Sequence, residues 1–333
     1  MSVNDPAIVD YSHIITTRPH DICRVLISDL HLSADEPALV QAFLALIDDL
    51  KALANLNELY ILGDWFDAWV GDDRYLTLSS TEFHRNWLTP IIETLSELSA
   101  KGCDIKVMHG NRDFLIGQEF CDLFNAELIH EPYFIHINDK SFRLEHGDAL
   151  CTDDKSYQRF RTIMRNPVTQ WLLLKRPLQK RIALAQRIRT KSSMDKSHKS
   201  MSIMDVNHAA VLKVLNKVDG LIHGHTHRPA KHEVIVDKKN HTTKPRYVLG
   251  DWRVIHRDSA YEQVEAIIAI SYCETTYSDR SLLYDQKQEG AGQIEQNFRQ
   301  ITSTQLANEQ HSIDKSRLDQ KESLQLVKFE IKT

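Results

Sequence analysis

The chain has 333 residues, of which 42% are hydrophobic and 26% charged, as is ordinary for a globular protein built from one large domain or one domain with an appendage. Its formal net charge of −5 is too small for a protein that wraps nucleic acid, so no nucleic-acid partner is predicted. Residues 1–20 lack an apolar signal region, and no stretch approaches the ~20 apolar residues of a membrane span. We therefore expect a protein that neither is secreted nor crosses a bilayer.

The five cysteines are odd in number and show no Cys-x-x-Cys spacing. Most of them lie within or beside apolar runs, which favours reduced, buried thiols in a cytosolic protein. The five are Cys23, Cys103, Cys121, Cys151 and Cys273.

In chain order, the first predicted elements alternate strands with helices. Residues 1–20 are polar and irregular and are predicted to be flexible. A strand over 22–28 is followed by apolar residues at helical spacing from Leu39 to Leu53, which predict a helix that packs on a sheet. A second strand is predicted at 59–62, and a second helix over 81–100.

An aromatic segment directly follows the second predicted strand. It carries Trp65, Phe66 and Trp69 beside the carboxylate of Asp64. Two interpretations are open: these rings form a wall of a substrate cleft, or at least some of them fill the core.

The remaining elements are mainly strands. A short helix is predicted after Asp113, and Asn138-Asp139 joins a hairpin of two strands. Residues 272–322 are rich in Gln, Ser, Thr, Asp and Glu and are predicted to be flexible. A last strand over 324–332 alternates apolar and charged residues and is predicted to pair with the strand over 264–270. The other predicted strands are 105–108, 134–137, 142–145, 221–223, 234–236 and 246–249.

Residues 154–217 interrupt the strands and are predicted to form a helical insertion, cut by Pro167 and Pro177. Residues 155–199 carry 13 Lys and Arg against one acidic residue, Asp195. Basic helices that also carry Trp and Leu are typical of a segment that lies on an anionic membrane surface. An ordinary lid with a solvated basic face is the other interpretation. The insertion falls between two strands with ligand-type residues, which favours a cap that is apolar inside and basic outside.

Five of the predicted strands end in residues that bind metals. In an α/β sheet, ligands bind beyond the carboxyl ends of the strands, so these residues are expected to converge. The five strand ends are Asp29-Leu30-His31, Gly63-Asp64, Gly110-Asn111-Arg112-Asp113, His146-Gly147-Asp148 and Gly224-His225-Thr226-His227.

Seven oxygen and nitrogen ligands exceed the needs of one catalytic ion, which typically takes three protein ligands and keeps one position open. They suit two ions about 3.5–4 Å apart. Carboxylate, amide and imidazole without sulfur favour Mn²⁺, Fe²⁺ or Zn²⁺ over Ca²⁺ or Cu⁺. Such a pair is typical of phosphoester and pyrophosphate cleavage. The seven are Asp29, His31, Asp64, Asn111, His146, His225 and His227.

The order of these five motifs resembles the calcineurin-like metallophosphoesterase family. The resemblance implies an α/β fold, an αββα sandwich with a helical cap insertion. The expected core covers residues 22–153 and 218–271 and is closed by the strand 324–332, while 154–217 form the cap. The resemblance also implies that Asp29, His31, Asp64 and His227 hold one ion. Asp64, as the bridge, would hold a second ion together with Asn111, His146 and His225.

Longer motifs, including Ser202-Ile203-Met204-Asp205-Val206-Asn207 and His223 through Pro229, resemble the family of hydrolases that cleave UDP-2,3-diacylglucosamine. That resemblance implies two Mn²⁺ ions and attack of water at the α-phosphorus, giving UMP and 2,3-diacylglucosamine 1-phosphate in lipid A biosynthesis. It further implies a peripheral location at the cytoplasmic face of the inner membrane, with no protein partner predicted. The implied substrate contacts are Asn111, Arg112, Asp154, Ser192, Lys196, Lys199 and His225.

The residues at the implied catalytic centre are Asp64, Asn111, Arg112 and His146. Many metallophosphoesterases have histidine in place of Arg112, where it can donate a proton. Arginine stays protonated, but its planar fork pairs with phosphate oxygens, so Arg112 is assigned to stabilising charge in the transition state. Two other functions are considered: a soluble metal-dependent phosphodiesterase acting on nucleotides or nucleic acid, and a membrane-associated binding protein that has lost catalysis.

Overall fold

The computed structural model describes residues 8–198, 205–258, 261–273 and 323–333. The predicted flexible segment 272–322 therefore lies almost entirely outside the described residues. The strands in the described part are β1 (Ile8–Asp10), β2 (Ile22–Ile27), β3 (Glu58–Leu62), β4 (Asp104–Met108), β5 (Ala126–Ile129), β6 (Tyr133–Ile137), β7 (Lys140–Glu145), β8 (Gly220–His223), β9 (Ala230–Asp237), β10 (Thr242–Val248), β11 (Arg253–Arg257), β12 (Glu262–Tyr272) and β13 (Leu324–Lys332).

The helices lie between these strands, and a short 3-10 turn (Asp148–Leu150) follows β7. In the described part they are α1 (Tyr11–Thr17), α2 (Pro37–Lys51), α3 (Asp73–Leu76), α4 (Ser80–His84), α5 (Thr89–Ala100), α6 (Gln118–Asp122), α7 (Lys155–Met164), α8 (Pro167–Leu174), α9 (Leu178–His198) and α10 (His208–Leu215).

Two sheets packed face to face form the centre of the described structure. The larger has the order β1-β13-β12-β2-β3-β4-β5, with β11 paired to β12, and the smaller has the order β6-β7-β8-β10-β9. One apolar cluster lies between the sheets, a second joins the larger sheet to α2 and α5, and a third joins the smaller sheet to α10. The predicted αββα sandwich is confirmed.

The alternation of side chains along β3 shows how the sequence builds these layers. Leu59 and Ile61 point to the helices, whereas Tyr60 and Leu62 point to the other sheet. Strands β2, β3 and β4 run parallel, as do β7, β8 and β10 in the smaller sheet. Parallel strands bring their carboxyl ends to one edge of each sheet, which positions the loops described below.

Most predicted elements are present, including the β6–β7 hairpin, the short helix α6 and the pairing of β12 with β13. The helix predicted over 81–100 is instead two helices, α4 and α5. The chain breaks at 85–88, and Pro90 lies in the first turn of α5, where its fixed φ and missing N–H are tolerated.

The flexible segment predicted over 1–20 is wrong for residues 8–17. Ile8–Asp10 form β1, which pairs in parallel with β13, and α1 follows. Tyr11 and Ile14 are buried against the core, and the Asp10 side chain accepts a hydrogen bond from the backbone of His13 at 3.1 Å, which caps α1. Two buried side chains among polar neighbours give too weak a periodic pattern to predict this helix.

The aromatic residues after β3 fill the core. Trp65, Phe66 and Trp69 are at most 6% exposed, and the rings of Trp69 and Phe120 lie 4.3 Å apart.

The prediction for the cysteines is confirmed for Cys103, Cys121 and Cys151, which are free and buried. It is wrong for Cys23 and Cys273, which form a disulfide between the first residues of β2 and the end of β12. Their separation of 250 residues gave no spacing signal.

The insertion is helical, as predicted, but it divides into two parts. Helices α7, α8 and α9 (residues 155–198) form what we call the lid, whereas Val211 and Leu215 of α10 pack on the smaller sheet. Arg181, expected on an exposed basic face, is 4% exposed because its guanidinium binds Asp73 and the carbonyl of Val70. The described helices include none with the length and apolar character needed to span a bilayer.

Candidate metal centre

The predicted ligands lie in loops at the carboxyl ends of strands from both sheets. The larger sheet contributes Asp29 and His31 after β2, Asp64 after β3 and Asn111 after β4. The smaller sheet contributes His146 after β7, and His225 and His227 after β8. The site therefore lies where the edges of the two sheets meet.

Asp29, His31 and His227 form one group whose ligand atoms all lie within 4.8 Å of one another. His227 Nε2 is 3.3 Å from Asp29 Oδ1 and 3.5 Å from His31 Nε2. Asp64 Oδ2 lies 3.9 Å from His31 Nδ1. The four residues assigned by resemblance to one ion are thus brought together.

His146 is the centre of the second group. Its Nε2 lies 3.1 Å from Asn111 Oδ1, 3.2 Å from His225 Nδ1 and 3.7 Å from Asp64 Oδ1. The ligand atoms of Asp29, Asp64 and His146 also lie within 4.8 Å of one another. Asp64 therefore contacts both groups, as a bridging carboxylate must, although the assignment of ligands to ions stays a prediction.

The backbone at these positions is held in an unusual conformation. Asp29, His31, Asp64, His225 and His227 all have φ between 50° and 67°, in the left-handed region that non-glycine residues rarely adopt. Such strain concentrates at functional sites and persists only where the surroundings enforce it. Here backbone hydrogen bonds enforce it, from Asp29 N to Gly63 O at 3.1 Å and from His31 N to Asp64 O at 3.0 Å.

Glycines permit the loops to approach. A Cβ on Gly110 would overlap the backbone nitrogen and carboxylate of Asp64, and a Cβ on Gly224 would overlap Ser28 and Asp29. Side chains larger than hydrogen at these two positions would therefore separate the loops that carry the ligands.

The donor atoms fit divalent cations. His146 Nδ1 lies 3.0 Å from the carbonyl oxygen of Leu62, which can only accept, so Nδ1 carries the proton and the lone pair of Nε2 faces the cluster. Asp29 Oδ2 accepts from Ser28 Oγ at 2.6 Å and His225 N at 2.8 Å, which leaves Oδ1 directed at the cluster. His31 Nδ1 is buried and has no hydrogen-bond partner in the described part of the chain. Oxygen and nitrogen donors without sulfur suit Mn²⁺, Fe²⁺ or Zn²⁺.

The electrostatics of the group also favour cations. Burial alone would lower the pKa of His146, but Asp64 and Asp29 outweigh it and raise that pKa to about 9. Burial alone would raise the pKa of Asp29, but His227 and His146 lower it well below its usual range. Burial and the charge of His146 lower the pKa of His225 to about 3. The buried carboxylates thus draw positive charge into the site, and divalent cations would displace the protons that otherwise supply it.

Arg112 lies at the rim of the group. Its backbone N–H donates to Asp64 Oδ1 at 2.9 Å, its Nε lies 3.5 Å from Asp64 Oδ2, and its Nη1 lies 2.5 Å from Asp67 Oδ1. The other oxygen of Asp67 contacts Arg189 of α9. Asp67 therefore orients Arg112 and joins the lid to the site.

The predicted substrate contacts are only partly described. Asn111, Arg112 and His225 lie in the metal groups, whereas buried Asp154 is the N-cap of α7, where Oδ1 accepts from Tyr157 N at 3.0 Å. Lys199 lies outside the described residues, and Ser192 and Lys196 belong to α9 in a part where side chains are not described. Their contacts with substrate stay predictions.

Several carboxylates that support the site were not assigned a role from the sequence. Asp113 accepts from Gly110 N at 2.6 Å and Trp65 N at 2.8 Å, and so joins two ligand loops. Glu131 accepts from His146 N at 2.5 Å. Asp251 Oδ2 lies 3.5 Å from His227 Nδ1. A signal for Asp251 was present, because Leu249-Gly250-Asp251 repeats the strand-Gly-Asp pattern of Leu62-Gly63-Asp64.

Comparison with known proteins agrees with this geometry. Residues 25–229 match the model of the calcineurin-like phosphoesterase family. The chain is 43% identical over 230 residues to a UDP-2,3-diacylglucosamine hydrolase of Pseudomonas putida, a match that covers 68% of this chain and 90% of the relative. An Azotobacter vinelandii protein of that name gives the same figures. One from Marinobacter nauticus is 44% identical over 68% of this chain and 88% of its own.

Proposed function

The chain belongs to the calcineurin-like phosphoesterase family, and from this premise we propose that it hydrolyses the pyrophosphate bond of UDP-2,3-diacylglucosamine. The products are UMP and 2,3-diacylglucosamine 1-phosphate, in the synthesis of lipid A. The observation that carries the proposal is the convergence of seven oxygen and nitrogen ligands from both sheets beneath a lid with exposed apolar side chains. The family model spans residues 25–229, which include the first ligand strand and the lid, and relatives that bear the name of this activity match 68% of the chain.

We propose two Mn²⁺ ions as the cofactors. Asp29, His31, Asp64 and His227 would hold the first, and Asp64 with Asn111, His146 and His225 would hold the second. When bound, such a pair lowers the pKa of water and neutralises phosphoryl oxygens. In the reaction, the water oxygen bonds to the α-phosphorus and the bond from that phosphorus to the bridging oxygen breaks.

Within this site Arg112 supplies a fixed positive charge. Its guanidinium is oriented by Asp67 and Asp64, and its planar fork is suited to two phosphate oxygens. The leaving group is a sugar phosphate, which departs as an anion without strong protonation. Arg112 therefore stabilises developing charge rather than transferring a proton. Asn111 and His225 contact the same substrate phosphates in this proposal.

The lid supports a lipid substrate and a location on the inner membrane. Five large apolar side chains of α7 and α8 are exposed by 45% to 64%: Ile163, Val168, Trp171, Leu172 and Leu174. Exposed cations flank them on the same helices and on α9, among them Arg159, Lys175, Lys180 and Arg187. Apolar side chains ringed by cations suit an anionic bilayer surface. We place the protein there as a peripheral protein on the cytoplasmic face.

Four further residues contact the substrate in this proposal: Asp154, Ser192, Lys196 and Lys199. Asp154 is the N-cap of α7, the first helix of the lid. Ser192 and Lys196 follow Arg189 by three and seven residues in the sequence of α9. The Arg189 side chain contacts Asp67 beside the metal groups, which supports substrate contacts from this part of the lid.

The experiment is an assay of UMP release from vesicle-presented UDP-2,3-diacylglucosamine with added Mn²⁺, followed by mass spectrometry. We expect Asp64→Ala and His146→Ala to abolish release, because each removes a ligand that contacts several others. Asp139→Ala, a change to an exposed aspartate in the β6–β7 turn, is the matched control and retains release.

Undiminished turnover in Asp64→Ala would refute the site. Faster cleavage of simple diesters than of the lipid nucleotide, with no recruitment to vesicles, would identify a soluble phosphodiesterase. Absence of turnover in the Mn²⁺-loaded native chain on both kinds of substrate would indicate a binding protein that has lost catalysis.

A further inference from the structure

His227 lies between two carboxylates that contact opposite sides of its ring. Nε2 lies 3.3 Å from Asp29 Oδ1 and faces the metal groups, while Nδ1 lies 3.5 Å from Asp251 Oδ2. The two nitrogens of an imidazole point away from each other, so Asp251 lies behind the ring and outside the ligand cluster. A carboxylate in that place acts on the ligand rather than on a bound ion.

The loop that carries Asp251 is fixed on both sides. Strand β10 runs parallel to β8, so its carboxyl end lies at the same edge of the smaller sheet as the loop of His227. Leu249 N donates to His223 O at 2.8 Å, Gly250 N to Ile267 O at 2.9 Å and Trp252 N to Asp29 O at 3.0 Å. The backbone on either side of Asp251 is therefore joined to both sheets, and its carboxylate is only 21% exposed.

We propose that Asp251 is a positioning residue for His227, and through it for the metal centre on which the proposed function rests. Its carboxylate accepts the Nδ1 proton, which fixes the tautomer that leaves the Nε2 lone pair free. It also holds the ring plane toward Asp29 and His31. The arrangement of Asp251 and His227 is chemically similar to a carboxylate–histidine–metal triad. In such a triad the outer carboxylate makes the imidazole a stronger electron-pair donor to the metal.

Comparison with His146 shows what the carboxylate adds. The Nδ1 of His146 donates to a neutral carbonyl, that of Leu62, at 3.0 Å. Of these two rings, only His227 has a charged group, the Asp251 carboxylate, beside its Nδ1. Its side chain is also the more exposed, at 33% against 0% for His146. A ring near solvent has fewer packing contacts to hold it, so a strong directional bond contributes more to its orientation.

The test is calorimetric titration of the metal-depleted full chain with Mn²⁺ alone, without substrate. We expect Asp251→Ala to weaken the tighter binding step about 10- to 100-fold, the loss typical of removing such an outer partner. Asp251→Asn keeps an oxygen that accepts from Nδ1 and should recover most of the affinity. Asp139→Ala serves again as the matched control and should bind as the native chain does.

A double-mutant cycle with His227→Ala separates positioning from a general effect on folding. If Asp251 acts through His227, Asp251→Ala should have almost no further effect in the His227→Ala background. Equal losses in both backgrounds, or native affinity in Asp251→Ala, would overturn the proposal. Because no substrate is present, a wrong assignment of the lipid nucleotide as substrate would leave this result unchanged, and absence of Mn²⁺ binding by the native chain would instead refute the metal centre.

Discussion

Among the single residues of the site, Arg112 is notable because two carboxylates hold its guanidinium. Its side chain contacts Asp64, which touches both ligand groups, and Asp67, which also contacts Arg189 of the lid. A guanidinium held at two points is a fixed positive charge, which suits the proposed role of Arg112 in stabilising phosphate oxygens.

We predict that Arg112→Lys lowers kcat about 100- to 1000-fold, because a lysine keeps the charge but loses the planar fork. The fractional loss should be the same from about pH 6 to about pH 9, since charge stabilisation by Arg112 involves no proton transfer. The measurement is the pH profile of UMP release for the native chain and for the Lys and His variants. Restoration of activity in Arg112→His at low pH would show instead that a proton donor is needed at this position.

The convergence of the seven candidate ligands could be predicted because each follows an apolar strand in the sequence. Their supporting carboxylates could not all be predicted in the same way. Glu131 and Asp113 act through backbone N–H groups, which every residue has, so no side-chain pattern in the sequence marks their partners. The sequence around Asp251 repeats the strand-Gly-Asp pattern. Its partner His227, however, lies 24 residues earlier, in the loop after a different strand.

At the scale of elements, the lid shows where sequence reasoning about charge fails. Arg161 of α7 and Arg165, the C-cap of that helix, both bind Glu131. Arg161 Nη2 lies 2.6 Å from Glu131 Oε2, and Arg161 Nε lies 2.9 Å from Asp148 Oδ2. Glu131 in turn accepts from the backbone of His146. A count of basic residues cannot distinguish an exposed cation from one that binds a buried carboxylate distant in sequence.

We predict that Arg161→Met destabilises the protein by about 3 kcal/mol, because Asp148 is fully buried and would lose a charged partner. Arg159→Met is the matched control, since Arg159 lies on the same helix but is exposed, and it should change stability by at most about 0.5 kcal/mol. Urea unfolding followed by circular dichroism measures both. Equal midpoints for the two variants would contradict the role of this ion pair in anchoring α7.

At the scale of the whole molecule, both described ends of the chain help to close the larger sheet. The final strand β13 lies between β1 and β12, so residues 8–10 form the edge strand of the larger sheet rather than a flexible leader. The order of strands and helices and the pairing of β13 with β12 followed from periodicity. The pairing of β1 did not, because a strand of three residues is too short to show alternation.

In the proposed binding to an anionic bilayer, the exposed apolar side chains of the lid would form the contact surface. Trp171→Ser combined with Leu172→Ser should reduce binding to vesicles of phosphatidylethanolamine and phosphatidylglycerol at least about 10-fold, because each side chain contributes roughly 1.5–3 kcal/mol when buried. Ile235→Ser, a change to a similarly exposed apolar residue on β9, is the control and should bind as the native chain does. Sedimentation measures the bound fraction, and equal binding by all three proteins would show that the lid is not the contact surface.

We propose that water attacks the α-phosphorus of UDP-2,3-diacylglucosamine at a dinuclear metal centre. The most direct test is turnover by the Mn²⁺-loaded chain in ¹⁸O-labelled water, with both products analysed by mass spectrometry. We expect one ¹⁸O atom in UMP and none in 2,3-diacylglucosamine 1-phosphate. Label in the lipid phosphate, or release of UDP in place of UMP, would contradict it.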